Sequence, residues 1–341
     1  MLTRRTLMGG AAAMAGAVAA PQVMAQPKPV VIRYGYILPP VAEMASIFLT
    51  KPDLLKHHGK SYTFEPKYFR GSPLLVTGMA ADEIDVANLG FSTFPQAVLN
   101  AGMTDMKVIG DECEDGFHGH FASQFRVRKD SGINTLADLK GKVIATIALG
   151  SGADIITRYT LRTKAGLELN RDFTYLETPF PTMKGLLMDK KVDVAFFAQP
   201  FASDPEVNEH TKVIFTTETA LGALMPNFIA ARGGFIAKNR PAMVDWMEDF
   251  IRVVRWYYDE KNRDEAIKII SEASKTPEAV LRRFIFTKQD NYRSLEAMPD
   301  LKVLQSNWAA MKELGLSKQE LKVEDYADLS VVKEANARLA K

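Results

Sequence analysis

MAADEIDVANLGFSTF at 79–94 and LLMDKKVDVAFFAQPF at 186–201 are the two stretches on which the fold turns. Each closes a helical pattern, passes through a short charged turn and enters a β-rich run. The runs are Ile84-Asp85-Val86-Ala87 and Val192-Asp193-Val194-Ala195. Each helix is expected to open at a capping residue, Ser72 before Pro73 in the first and Thr182 in the second. The spacing from cap to strand differs by two residues, so the pair is an echo of construction rather than a strict repeat. Two lobes of similar build produce such an echo.

Outward from these stretches, strands are expected at 30–37, 63–69, 84–89, 106–111, 142–147, 173–177, 192–198 and 213–217, with helical patterns between most of them. That alternation argues for an α/β chain whose sheets are mixed but mostly parallel, with helices on their faces. The last third is helical. Asn239-Arg240-Pro241 reads as a capped start, followed by Met243, Trp246, Met247, Phe250, Val254 and Tyr257 at helical spacing. Thr276-Pro277-Glu278 opens a second helix and Leu301, Leu304, Trp308, Met311 and Leu314 mark a third. These large apolar residues are core positions packing helices onto a sheet.

The chain opens MLTRRTLMGG, followed by an Ala/Gly-rich apolar stretch and Val23-Met24-Ala25. A charged start, an apolar middle and a small-residue end form an export signal over 1–25. The order Thr-Arg-Arg-x-Leu-Met suits the twin-arginine type; a general secretory signal with a chance Arg pair is the alternative. Loss of Arg4 and Arg5 with the leader leaves 41 basic and 41 acidic residues, which gives no nucleic-acid footprint. Cys113 is the sole cysteine, so no internal disulfide is possible and no lipid-attachment cysteine follows the leader. A soluble, exported, monomeric periplasmic protein is expected. The remaining roughly 315 residues suit two lobes.

With these residues in place the chain resembles a known family, the periplasmic solute-binding proteins of sulfonate, nitrate and taurine type ABC importers, a superfamily that includes thiamine-precursor binders. The resemblance runs through VVIRYGYI, GSPLLVTGMAADEIDVANLG, INTLADLKGKVIATIALGSGAD and LLMDKKVDVAFFAQP, and continues in the helical last third. The segment Thr135 to Ala145, TLADLKGKVIA, is the most telling piece. The resemblance implies the two-lobed type II fold of periplasmic binding proteins, with two crossing segments and a ligand enclosed on closure. Fitted to that plan, one lobe is 26–118 plus 226–341 and the other is 119–225. The crossings fall near 116–121 and 224–229.

Ligands of open α/β sheets sit beyond the carboxyl ends of strands. Gly150-Ser151-Gly152-Ala153 follows one such strand and starts a helix, so it offers close backbone approach and unpaired N–H groups to an anion. Ser72, Gly90, Ser92 and Thr93 occupy the matching places in the first lobe, where each hydroxyl either caps a helix or binds ligand. Gln199 and Phe201 follow the second lobe's strand, and Phe201 is expected to stack on a ring with Phe91 or Phe117. Pro39 is placed at the rim and His118 near the first crossing, where an imidazole can donate to an anion. No Arg or Lys lies inside these turns. The expected ligand is therefore one organic acid group, sulfonate or carboxylate, on an alkyl or aromatic body.

No metal set with ligand spacing and no cofactor motif is present. No catalytic elbow or metalloprotease motif occurs either. Cys113 stands among Glu112, Glu114 and Asp115, which disfavour a thiolate. A pyrimidine-synthase-like enzyme on the same fold needs a cysteine-rich motif that this chain lacks. A receptor is expected, with a membrane permease and a cytoplasmic ATPase as partners; a thiamine pyrimidine precursor is the alternative ligand.

Overall fold

The computed structural model describes residues 28–37, 44–317 and 319–341. The leader read at 1–25 and the rim residue Pro39 lie outside them. Among the described residues no helix is long and apolar enough to cross a membrane.

Among the described residues the strands form two five-stranded sheets of the same spatial layout, with the antiparallel strand last in chain order in one and first in the other. In the first, β1 (Val30–Tyr36) lies between β2 (Tyr62–Tyr68) and β3 (Val86–Gly90), all parallel. Then β10 (Leu224–Arg232) runs antiparallel between β3 and β4 (Met106–Asp115). In the second, β6 (Val143–Thr146) lies between β7 (Thr174–Glu177) and β8 (Val194–Phe197), again parallel. There β5 (Gln124–Arg128) runs antiparallel between β8 and β9 (Thr211–Thr216). The chain passes between sheets at 116–123 and returns at 217–223, so the 224–229 expected for the second crossing falls within β10.

The echo seen in the sequence has a physical counterpart. Asp85 donates its N–H to Arg33 O and accepts Arg33 N–H on Oδ2. Asp193 does the same with Val143, donating to its carbonyl at 2.8 Å and accepting its N–H at 3.0 Å. In each sheet this aspartate locks the strand to its parallel neighbour. Both strands that follow are buried along their whole length, which their unbroken apolar runs require.

Two strands were not expected from the sequence, β5 and β10, and both are the antiparallel members. In β10, Pro226 interrupts the run, and the ladder accommodates it with a register shift between Leu224 and Asn227. In β5, Arg126 is buried and donates Nε to Thr211 Oγ1 at 2.8 Å, so a charged residue sits where an apolar one is expected.

The helix Arg240–Tyr258 buries Met243, Trp246, Met247, Phe250, Val254 and Tyr257 against the first sheet. Asn239 does not cap it: its Nδ2 donates back to Phe235 O. The helix at Thr276-Pro277 is one turn, Glu278–Leu281, although Leu281, Phe284 and Ile285 are buried. Helix Leu301–Glu313, capped by Asp300, packs on β10 and on helix Gly152–Ala165 of the second sheet. One apolar cluster consequently runs from Leu75, Phe94 and Trp308 through to Phe125, Ile144 and Leu161.

Candidate functional site

Between the two sheets lies a cavity of about 650 Å³. Its walls are the ends of β3 and β8 and the starts of helices Ser72–Ala80, Gly152–Ala165 and Phe180–Met188. Its floor is the crossing region, with Cys113, Asp115, Ser123, Thr217 and Asn227.

Seven of the expected residues line it: Ser72, Gly90, Ser151, Gly152, Ala153, Gln199 and Phe201. Ser92, Thr93, Gly150 and His118 do not. Thr93 Oγ1 donates to Gly90 O at 3.0 Å and closes its own turn, and Ser92 is buried. His118 is exposed, in a left-handed conformation, with its ring edge-on to Tyr292. Phe117 is stacked on Tyr292 rather than in the cavity, whereas Phe91 lines it. Phe201 stacks on Phe180, 6.3 Å between centroids.

The expected caps need correction. Gly71, not Ser72, is the cap position of helix Ser72–Ala80, and the Ser72 side chain makes no cap bond. Its hydroxyl packs against Gly90, where an added Cβ would lie 3.0 Å from Ser72 Oγ. Thr182 lies inside its helix, one turn past Pro179, to whose carbonyl it donates.

Ser151 does cap helix Gly152–Ala165, accepting Asp154 N–H at 3.4 Å. Asp154 itself is fully buried at that helix start, accepting Gly150 N–H and pairing with Arg158. The helix start thus already holds a neutralised carboxylate. Gly152 and Ala153 line the cavity, and their first-turn N–H groups have no intrahelical acceptor. Ser151→Ala is expected to lower the unfolding free energy of the unliganded protein by about 1 kcal/mol through the lost cap. Denaturant titration reads that loss. Calorimetry reads separately any binding loss, about 1 kcal/mol if the hydroxyl also donates to ligand.

Charge in the cavity is unevenly committed. Asp115 accepts Ser123 N–H and hydroxyl and the Thr217 hydroxyl, and burial pushes it up to about 6. Through these bonds it ties both inter-sheet segments together. Asp204 pairs with Lys184 at 2.8 Å and caps the following helix. Arg70 and Lys275, both exposed, line the cavity and make no ion pair among the described residues.

These two cations were not expected. Arg70 stands one residue ahead of the Gly71-Ser72-Pro73 turn, and attention to the turn alone passes over it. Lys275 is the left-handed C-cap of helix Arg263–Ser274 and is carried to the cavity only by tertiary packing. Asn227, on the unexpected strand β10, is a third addition.

No curated protein matches the chain. Among solved structures it is similar to the alkanesulfonate-binding protein SsuA from Xanthomonas axonopodis pv. citri bound to MOPS. The two share 21% identity over 89% of this chain and 99% of that one, with a TM-score of 0.69. It is similar to the periplasmic nitrate-binding protein NrtA from Synechocystis PCC 6803, at 16% identity over 92% and 90% of the two chains, TM-score 0.70. The desulfurization enzyme DSZB shares the fold, at 13% identity over 90% and 99%, TM-score 0.65. These likenesses establish the two-lobed periplasmic-binding-protein fold. The family model "ABC transporter, phosphonate, periplasmic substrate-binding protein" matches residues 53–225, just over half of the chain. The chain therefore belongs to the periplasmic substrate-binding proteins of ABC transporters.

Proposed function

We propose that this chain is the exported receptor of an ABC importer and captures a small organic anion between its lobes. It then hands the ligand, chemically unchanged, to a membrane permease driven by a cytoplasmic ATPase. Each lobe is one sheet with its helices, and the two close about the inter-sheet segments 116–123 and 217–223. The observation that carries the reading is the imbalance of charge in the cavity. Asp115 and Asp204 are engaged within the protein, while Arg70 and Lys275 make no ion pair among the described residues. The cavity walls also include Phe91, Phe180 and Phe201, which suit an apolar body. A sulfonate, carboxylate or phosphonate head on an alkyl or aromatic body fits this arrangement.

The test is a thermal-shift panel of such acids on the mature protein, followed by calorimetry. Ligand at 100 times its Kd stabilises the folded state by about 2.7 kcal/mol. Arg70→Ala and Lys275→Ala are each expected to weaken binding about tenfold at low salt, and less at high salt because exposed charges are screened. Binding of a neutral pyrimidine, with no response to any acid and no effect of either substitution, would overturn the anion reading.

A further inference from the structure

The two lobes give the cavity walls of different chemistry. Arg70 and Lys275 both belong to the first lobe. Arg70 follows β2, and Lys275 ends helix Arg263–Ser274, whose Ile267 and Ile270 are packed in the first sheet's core. Both side chains are exposed. Among the described residues the second lobe brings one charged residue to the lining, Asp204, which Lys184 neutralises at 2.8 Å. Its open surface there is apolar: Ile147, Phe180 and Phe201 line the cavity and are only half-buried. Phe180 stacks on Phe201 at 6.3 Å and lies 5.7 Å from Phe196, so the rings form one continuous wall.

The room between these walls is large although the lobes already touch. Gln199 Nε2 donates across to Gln289 O at 2.8 Å, and a Cβ added at Gly152 would lie 3.1 Å from Phe91. The space that remains is about 650 Å³, about four times the roughly 150 Å³ that holds a benzene molecule. Water is a poor filler for the ring-lined side, because an ordered water needs about two to four polar partners. A small acid held by the cations would leave that side wet and its apolar surface unburied.

We infer that the ligand is a bulky amphiphilic acid lying across the cleft. Its single acid head is held by Arg70 and Lys275 of the first lobe. Its body, of two or more rings or a chain of matching bulk, is covered by the Phe180–Phe201 wall of the second. Small acids such as one-ring or three-carbon sulfonates are poor ligands. The second lobe then gains its contacts from the body rather than from the charge, so the size of the body sets how strongly closure is favoured. This inference rests on the anion reading above and adds the size of the ligand and its direction in the cleft.

Calorimetry with two matched pairs tests it: naphthalene-2-sulfonate against benzenesulfonate, and octanesulfonate against propanesulfonate. The larger acid is expected to bind about tenfold tighter or more in the first pair and about 100-fold in the second. In Phe180→Ala the naphthalene advantage is expected to shrink to within about threefold, and Phe201→Ala serves should Phe180→Ala not fold. Arg70→Ala is expected to weaken both aromatic sulfonates by the same factor and so to leave their ratio unchanged. Equal or tighter binding of the small acids by the unaltered protein overturns the inference and leaves the anion reading standing. So does a naphthalene advantage that survives loss of the ring wall, or one that disappears in Arg70→Ala. Naphthalene-2-methanol is the neutral control: if it binds as tightly as the sulfonate, or if no acid binds, the anion reading falls and the inference falls with it.

Discussion

Gly152→Leu is expected to weaken ligand binding about 100-fold while leaving the fold of each lobe intact. Gly152 opens helix Gly152–Ala165 and is not among the residues with positive φ, so its backbone accepts a side chain. Space is what forbids one. An added Cβ would lie 3.1 Å from Phe91 Cε1, across the gap between the lobes. Phe91 is buried and its carbonyl accepts the Trp308 indole N–H at 3.0 Å, so its retreat disturbs the core behind it. Overpacking such a contact costs about 1–3 kcal/mol. That cost falls on the closed arrangement alone, because opening the lobes relieves it, and it converts to roughly 10- to 100-fold in affinity. The leucine side chain also fills space at a position that lines the cavity, which places the expectation at the upper end. Calorimetry with an acid from the panel measures the loss. Phe91→Ala in the same chain is expected to restore part of it by making room. Unchanged affinity in well-folded Gly152→Leu would place the ligand elsewhere.

That contact also shows how much of the site was legible in the sequence. The strand-end turns at Ser72, Gly90, Ser151–Ala153 and Gln199–Phe201 could be read, because local chemistry marks them: glycines, hydroxyls and prolines at a change of period. Asp85 and Asp193 could be matched for the same reason. The antiparallel strands β5 and β10 could not, since buried Arg126 and Pro226 each break the local rule for a central strand, and their neighbours in the sheet compensate. Lys275 and Asn227 enter the cavity through elements distant in sequence. The orientation of the Gln199 amide depends on Gln289, ninety residues away, whose carbonyl accepts its Nε2. His118 illustrates the converse. Its chemistry suited an anion, but the Gly119 turn swings it out to solvent.

Stability is expected to fall as pH rises from about 5 to about 9, the reverse of an ordinary acid-sensitive protein. Strand β4 carries Asp111, Glu112, Glu114 and Asp115, all buried. Burial pushes Asp111 up to about 7, with Glu112 adding to the rise and the Ser294 N–H and Arg293 opposing it. Burial, with the charges of Asp111 and Asp300, pushes Glu114 up to about 9, and its Oε2 has no hydrogen-bond partner among the described residues. Asp115 is raised to about 6, held back by Ser123 and Thr217. Each folded value lies above the unfolded one, near 4. Between the two values the folded state binds more protons than the unfolded state, so the stability slope with pH is negative. The stabilisation is complete below about pH 4 and is lost in steps as pH passes each folded value. A shift of one unit corresponds to about 1.4 kcal/mol, and the combined loss is several kcal/mol in order of magnitude. Glu114→Gln keeps the shape and removes the proton equilibrium. It is expected to match the unaltered protein at pH 5 and to exceed it by about 1–3 kcal/mol at pH 9. Urea titrations at the two pH values measure both. A Glu114→Gln protein weakened equally at both would mean that the carboxylate is ionised and paired in the fold.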